Sequence, residues 1–184
     1  MIALLIVDMQ NAYFEDPGLA PRREALVQAC NRLIEEFSTH GAKILLVATE
    51  HERDKSTWSL NMLEDDQGFI FRGSEQAGFV PGLAAGELPR LIKTRDSAFT
   101  GTDIVSRLRN WDVEELVLAG VATHNCIAHT AADAFAHNFR VVYAEEAMAS
   151  SNEQAAVDML RILSAEYRQP VLSTDDIAKR LKGI

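Results

Sequence analysis

Apolar residues fall along this chain in short, nearly unbroken runs, separated by longer stretches in which they recur every three or four positions. Six runs stand out: IALLIV (2–7), KILLVAT (43–49), RLIKT (90–94), ELVLAG (115–120), RVVYA (140–144) and PVLS (170–173). Continuous apolarity, without the alternation of a half-exposed strand, predicts β-strands buried on both faces. The intervening stretches predict amphipathic helices. One spans 22–40, with Pro21 before it, Leu26, Cys30, Leu33, Ile34 and Phe37 as its inner stripe and Gly41 as its stop. TDIVSRLRNW predicts a helix capped by Thr102, and SNEQAAVDMLRIL one opened by a Ser151–Gln154 capping box. STDDIAKRLKG carries acids in its first turn, bases in its last and a closing glycine, Gly183. Strands alternating with helices predict an α/β fold: a parallel sheet covered on both faces. Only 50–89 breaks the rhythm, and an irregular stretch of that length predicts a functional segment.

In open parallel sheets, ligands sit beyond the carboxyl ends of the strands. Asp8 follows the first run, Lys93 lies at the end of the third, and Cys126 follows the fourth through the turn GVATHN. A carboxylate, an ammonium and a thiol thus share one rim. Asp8, at the end of a buried strand, needs a partner, and Lys93 is the obvious one. Cys126 stands where an alanine-rich helical pattern begins, so unpaired N–H groups and the helix dipole are expected to lower its pKa. Cys30, on an apolar helix stripe, reads as a packing residue.

Composition narrows the classes further. A chain of 184 residues suffices for one domain, 1–184, that buries roughly 70% of its unfolded surface. Two cysteines argue for reduced thiols rather than a disulfide framework. The net charge of -9 argues against nucleic acid, which needs clustered Lys and Arg. No apolar run approaches the ~20 residues of a membrane span, and MIALLIVDMQ lacks the basic region of a secretory leader, so a cytoplasmic location is expected. VDMQNAYF after the first strand is no dinucleotide fingerprint, and neither a P-loop nor a Gly-x-Ser-x-Gly elbow occurs.

Two alternatives stay open at this level. ATEHERD offers Glu50, His51 and Asp54 as ligands for a divalent metal, or as a solvated loop. His129, three positions after the thiol, makes a Cys–His pair a rival to Cys–Asp. Gln10, Tyr13, Phe14, Trp58 and Phe99 are candidate pocket walls.

LLIVDMQNAYF, IKTRDSAFTGTDI and LVLAGVATHNCIAHTAADAFAHNFRVVYAEEAMAS resemble, in order, the isochorismatase-like cysteine hydrolases, which include nicotinamidases, N-carbamoylsarcosine amidohydrolases and ureidoacrylate amidohydrolases. The resemblance implies a three-layer, doubly wound, Rossmann-like fold of about six parallel strands. It implies Asp8, Lys93 and Cys126 as catalytic residues, a cis peptide between Val121 and Ala122, and an oxyanion hole from the amides of Ala122 and Cys126. Members with true isochorismatase activity tend to lack the cysteine, so its presence favours hydrolysis of a small carboxamide or other C–N bond. The alternatives are an isochorismatase-type ether hydrolase and a non-catalytic small-molecule or partner-binding scaffold. Nicotinamidases carry an Asp/His metal cluster after the second strand. Here only His51 remains of it, so no cofactor is expected to be required. A small-molecule amide substrate and a homodimer or homotetramer are the expected partners. His124 and Asn125, just before the thiol, have no role in this reading.

Overall fold

In a computed structural model, described for residues 1–182, the six apolar runs form one parallel sheet. The elements are β1 (Ile2–Val7), α1 (Arg23–Thr39), β2 (Lys43–Thr49), α2 (Leu60–Glu64), β3 (Arg90–Lys93), α3 (Ile104–Asn110), β4 (Glu115–Val121), α4 (Ala128–Ala136), β5 (Arg140–Ala149), α5 (Glu153–Tyr167), β6 (Val171–Leu172) and α6 (Thr174–Lys182). The strand order is β3-β2-β1-β4-β5-β6, so the chain builds outward from β1 on one side and then restarts beside it with β4.

Every residue of β1 is buried, and its alternating side chains feed two separate cores. Ile2, Leu4 and Ile6 pack with Leu26, Cys30, Leu33 and Phe37 of α1 and Ile177 and Leu181 of α6. Ala3, Leu5 and Val7 pack with Ile104 and Leu108 of α3, Ala131 of α4 and Leu163 of α5. The result is the expected three-layer α/β sandwich.

Helix α1 keeps to its predicted stripe and stops before Gly41, which takes the left-handed φ of +64°. Helix starts differ more. Asn152, not Ser151, caps α5, its side chain accepting from Ala155 N at 3.0 Å, and Gln154 turns along the helix to Asp158. Asp103 flanks α3, although Thr102 Oγ1 still accepts from Ile104 N at 3.3 Å. Ser173 caps α6, accepting from Asp176 N at 3.1 Å. Gly183 lies outside the described residues. Strand β5 runs five residues beyond its apolar run. The exposed Glu145–Glu146 pair interrupts the pattern, but pairing resumes past a register shift, with Gly120 opposite Met148 and Val121 opposite Ala149.

Gly120 is where β4 crowds β1 beside the rim. Its φ is +112°, and a Cβ there would lie 1.9 Å from the Val7 carbonyl oxygen. Only glycine fits.

Candidate active site

Four strand ends meet at the carboxyl edge. Asp8, directly after β1, takes a φ of +53°, a conformation that Asp tolerates better than most residues, and its N–H donates to Val47 O at 2.8 Å. Thr49 ends β2, and Lys93, opposite it in register, ends β3. After β4 comes a cis peptide between Val121 and Ala122, then the turn Thr123–Ile127, which carries Cys126 two residues ahead of α4.

Lys93 Nζ lies 2.8 Å from Asp8 Oδ2 and donates to Cys126 Sγ at 3.4 Å, Thr49 Oγ1 at 2.8 Å and Arg95 O at 3.1 Å. Asp8 and Lys93 are 0% and 1% exposed, so the pair is dry. Burial alone would depress the Lys93 ammonium, but Asp8 and Cys126 outweigh it and hold its pKa above the ordinary value.

The thiol departs from expectation. Its pKa is raised, chiefly by burial and then by the Asp8 carboxylate, with Lys93 only partly opposing them. A helix start does not set this sulfur's ionisation; burial does, with the Asp8 carboxylate adding to it. The resting group is a protonated thiol.

Beside these groups opens a cleft of about 250 Å³, with Tyr13, Thr49, His51, Lys93, Asp96 and Asn125 in its walls. Cys126 keeps 4% of its surface exposed. Of the candidate wall residues only Tyr13 lines the cleft. Its hydroxyl donates to Thr49 Oγ1 at 3.2 Å, and burial, Asp8 and Cys126 hold its pKa well above the ordinary value. Gln10 instead braces the backbone of Thr49, accepting from its N–H and donating to its carbonyl, each at 2.8 Å. Phe14 packs in the α1 layer, and Trp58 sits against Phe71 with its indole donating to Glu52 O. Phe99 stacks on His137 in the opposite core. Aromatic residues near strand ends filled space here, as bulky apolar groups do when a core lies within reach.

The residues after β2 do not fit a divalent metal. His51 lines the cleft with Nδ1 2.9 Å from Thr57 O, and burial lowers its pKa. Glu50 turns to Arg72 at 3.4 Å, while Asp54 accepts from Ser56. Among the described residues, no three His, Cys, Asp or Glu side chains gather as a ligand set. The Cys–His alternative is not what the structure assembles either, because His129 Nδ1 lies 2.9 Å from Asn125 O one turn back. His124 and Asn125 moor the turn that carries Cys126. His124 Nδ1 lies 2.5 Å from Ser150 Oγ beyond β5, and Asn125 Nδ2 donates to Asp96 Oδ1 at 3.1 Å. Thr49 escaped the sequence reading. Its signal was a polar residue closing a buried apolar run, as Lys93 closes another.

A parallel sheet in this order, with titratable groups gathered at its carboxyl edge, defines a three-layer, doubly wound α/β protein with its candidate site at that edge. The chain belongs to the isochorismatase family of hydrolases: a family model described as the isochorismatase domain matches residues 2–176. It is 30% identical over 180 residues to a protein of Arabidopsis thaliana named "Probable inactive nicotinamidase At3g16190", covering 92% of each chain. It is 28% identical to the maleamate amidohydrolase of Pseudomonas putida, covering 99% of this chain and 87% of that one. The crystal structure of an isochorismatase family protein from Desulfovibrio vulgaris superposes with a TM-score of 0.84 at 30% identity, covering 98% of both chains. Among the described residues no helix is long and apolar enough to cross a membrane.

Proposed function

We propose that the chain is a cysteine-dependent hydrolase of a C–N bond in a small carboxamide, acting in the cytoplasm as a homo-oligomer. The observation that carries this reading is the convergence of one buried ammonium on both a carboxylate (2.8 Å) and a thiol (3.4 Å) beside a cleft. Two similar proteins are named for amide chemistry, a nicotinamidase called inactive and a maleamate amidohydrolase. The presence of Asp8, Lys93 and Cys126 together favours an active enzyme here over a scaffold.

Asp8 takes the S–H proton as sulfur bonds to the carboxamide carbon, and the carbonyl π pair moves onto oxygen. The amides of Ala122 and Cys126 receive that oxyanion. The Ala122 carbonyl takes the N–H groups of Asn125 and Ile127, at 3.0 and 3.2 Å, and passes over the one between them. One such donor is typically worth about 3 kcal/mol in the transition state. The oxyanion then collapses, the C–N bond breaks, and Asp8 returns its proton to the departing nitrogen. A thioester remains. Asp8 next takes a proton from water as the water oxygen bonds to the acyl carbon; the C–S bond then breaks, freeing the acid, and Asp8 returns that proton to the sulfur to restore the thiol. No step calls on a metal.

A screen for ammonia release over small amides, ureides and carbamoyl compounds tests the reading. Wild type is expected to turn over at least one and to show an acyl adduct on Cys126 by intact mass. Cys126→Ala is expected to lose both. Full activity in that variant would refute the proposed nucleophile.

A further inference from the structure

Thr49 joins three polar groups of the site, Asp8, Lys93 and Tyr13. Its side chain is buried, and Oγ1 lies 2.9 Å from Asp8 Oδ1, 2.8 Å from Lys93 Nζ and 3.2 Å from Tyr13 Oη. A hydroxyl has one proton to give and two lone pairs to receive with. The ammonium has only protons to give, and the carboxylate only lone pairs. The Thr49 proton therefore goes to Asp8 Oδ1, and both other contacts run inward, from Lys93 and from Tyr13. All three valences are used.

The count at Lys93 is equally tight. An ammonium carries three hydrogens, and Nζ has three acceptors with hydrogen-bond geometry: Thr49 Oγ1, Arg95 O and Cys126 Sγ. Asp8 Oδ2, although 2.8 Å away, has no hydrogen-bond partner, and it is the buried side-chain oxygen left in that state among the described residues. The ammonium faces it as an ion pair, outside hydrogen-bond geometry.

We infer that Thr49 is the positioning residue that reserves Asp8 Oδ2 for the thiol proton: it occupies Oδ1 and diverts a Lys93 hydrogen that would otherwise bond the carboxylate. The inference rests on the proposed role of Asp8 as base. The strand order explains why this position can do so, because β2 lies between β3 and β1. Lys93 reaches Asp8 across the last residue of β2, so a hydroxyl there lies within hydrogen-bond distance of both. Gln10 clamps the backbone of that residue from below.

The test uses the rate at which iodoacetamide alkylates Cys126 in the full-length protein, located by peptide mass, because only the thiolate reacts. Thr49→Val keeps the shape and removes the hydroxyl, freeing a Lys93 hydrogen for Asp8. Its alkylation is expected to slow by about tenfold or more, at the low end of what a general base supplies, with a displaced pH–rate profile. Thr49→Ser is expected to recover most of the wild-type rate and its profile. Should the valine variant fail to fold, Thr49→Ala compared with Thr49→Ser asks the same question. Wild-type rate and profile in the variant lacking the hydroxyl overturn the inference. So does a loss that serine does not restore, since that marks a packing role. Alkylation is independent of the substrate: a wild type that cleaves no amide yet needs Thr49 for thiol reactivity sinks the functional proposal and leaves this one standing.

Discussion

Lys93 carries the opposing demands of this site in one side chain. A fully buried ammonium is unfavourable unless a charge faces it, and the Asp8 carboxylate faces this one at 2.8 Å. Replacing Lys93 by Met removes the counter-charge but keeps the volume. Asp8 then stands in a dry site without the counter-charge that lies 2.8 Å from it. Turnover is expected to fall by about 100-fold or more. Wild-type turnover in Lys93→Met would assign the lysine a packing role. Asp8, Lys93 and Cys126 were all legible in the sequence, because reactive residues that close apolar runs must be paired or exposed. The raised pKa of the thiol was not. It follows from how dry the sulfur is and how near Asp8 lies, which are facts of distance rather than of local pattern.

At the scale of elements, β1 and β4 set the site, since Asp8 and the turn that carries Cys126 leave these two adjacent strands. Their close approach depends on Gly120. A methyl group there would meet the Val7 carbonyl one residue before Asp8 and would also strain a backbone at φ +112°. Gly120→Ala is expected to destabilise the fold by about 2 kcal/mol or more, read by denaturant unfolding, and to lower activity more than the remaining folded fraction explains. A variant as stable and as active as wild type would show that the strands part at little cost. The turn itself is moored at both sides, by His124 to Ser150 and by Asn125 to Asp96. These contacts give a physical role to two residues whose pattern alone had suggested none.

For the whole molecule, the groups that burial perturbs and that titrate above neutral pH point one way. Burial pushes the Cys30 thiol up to about 12 and raises Cys126, Tyr143 and Tyr13, the first and last of these three with help from neighbouring anions. Each keeps its proton in the fold at pH values where the unfolded chain, near 9.0 for a thiol and 10.0 for a phenol, releases it. The unfolded state then binds fewer protons, so stability falls as pH rises. Lys93, also raised, adds to this, its ion pair contributing fully below the ordinary 10.5 and fading above it. The melting temperature is therefore expected to hold between about pH 7 and 8.5 and to drop steadily from about pH 9. A curve level to about pH 11 would contradict the dry environment assigned to these side chains.

The hydrophobic pattern by itself determined the six strands, the helices between them apart from α2, and the rim at which reactive residues gather, because apolar runs and amphipathic spacing are written locally along a chain. It did not tell the edge strands β3 and β6, which leave Ile92 and Val171 exposed, from the strands buried on both faces. It could not place Thr49 between Lys93 and Asp8, send Phe14, Trp58 and Phe99 into packing, or carry β5 past two glutamates. Those outcomes depend on which strands become neighbours and in what register. Strand order is decided by how the whole set of apolar faces is covered at once. Only the assembled sheet decides which oxygen of Asp8 is left without a hydrogen.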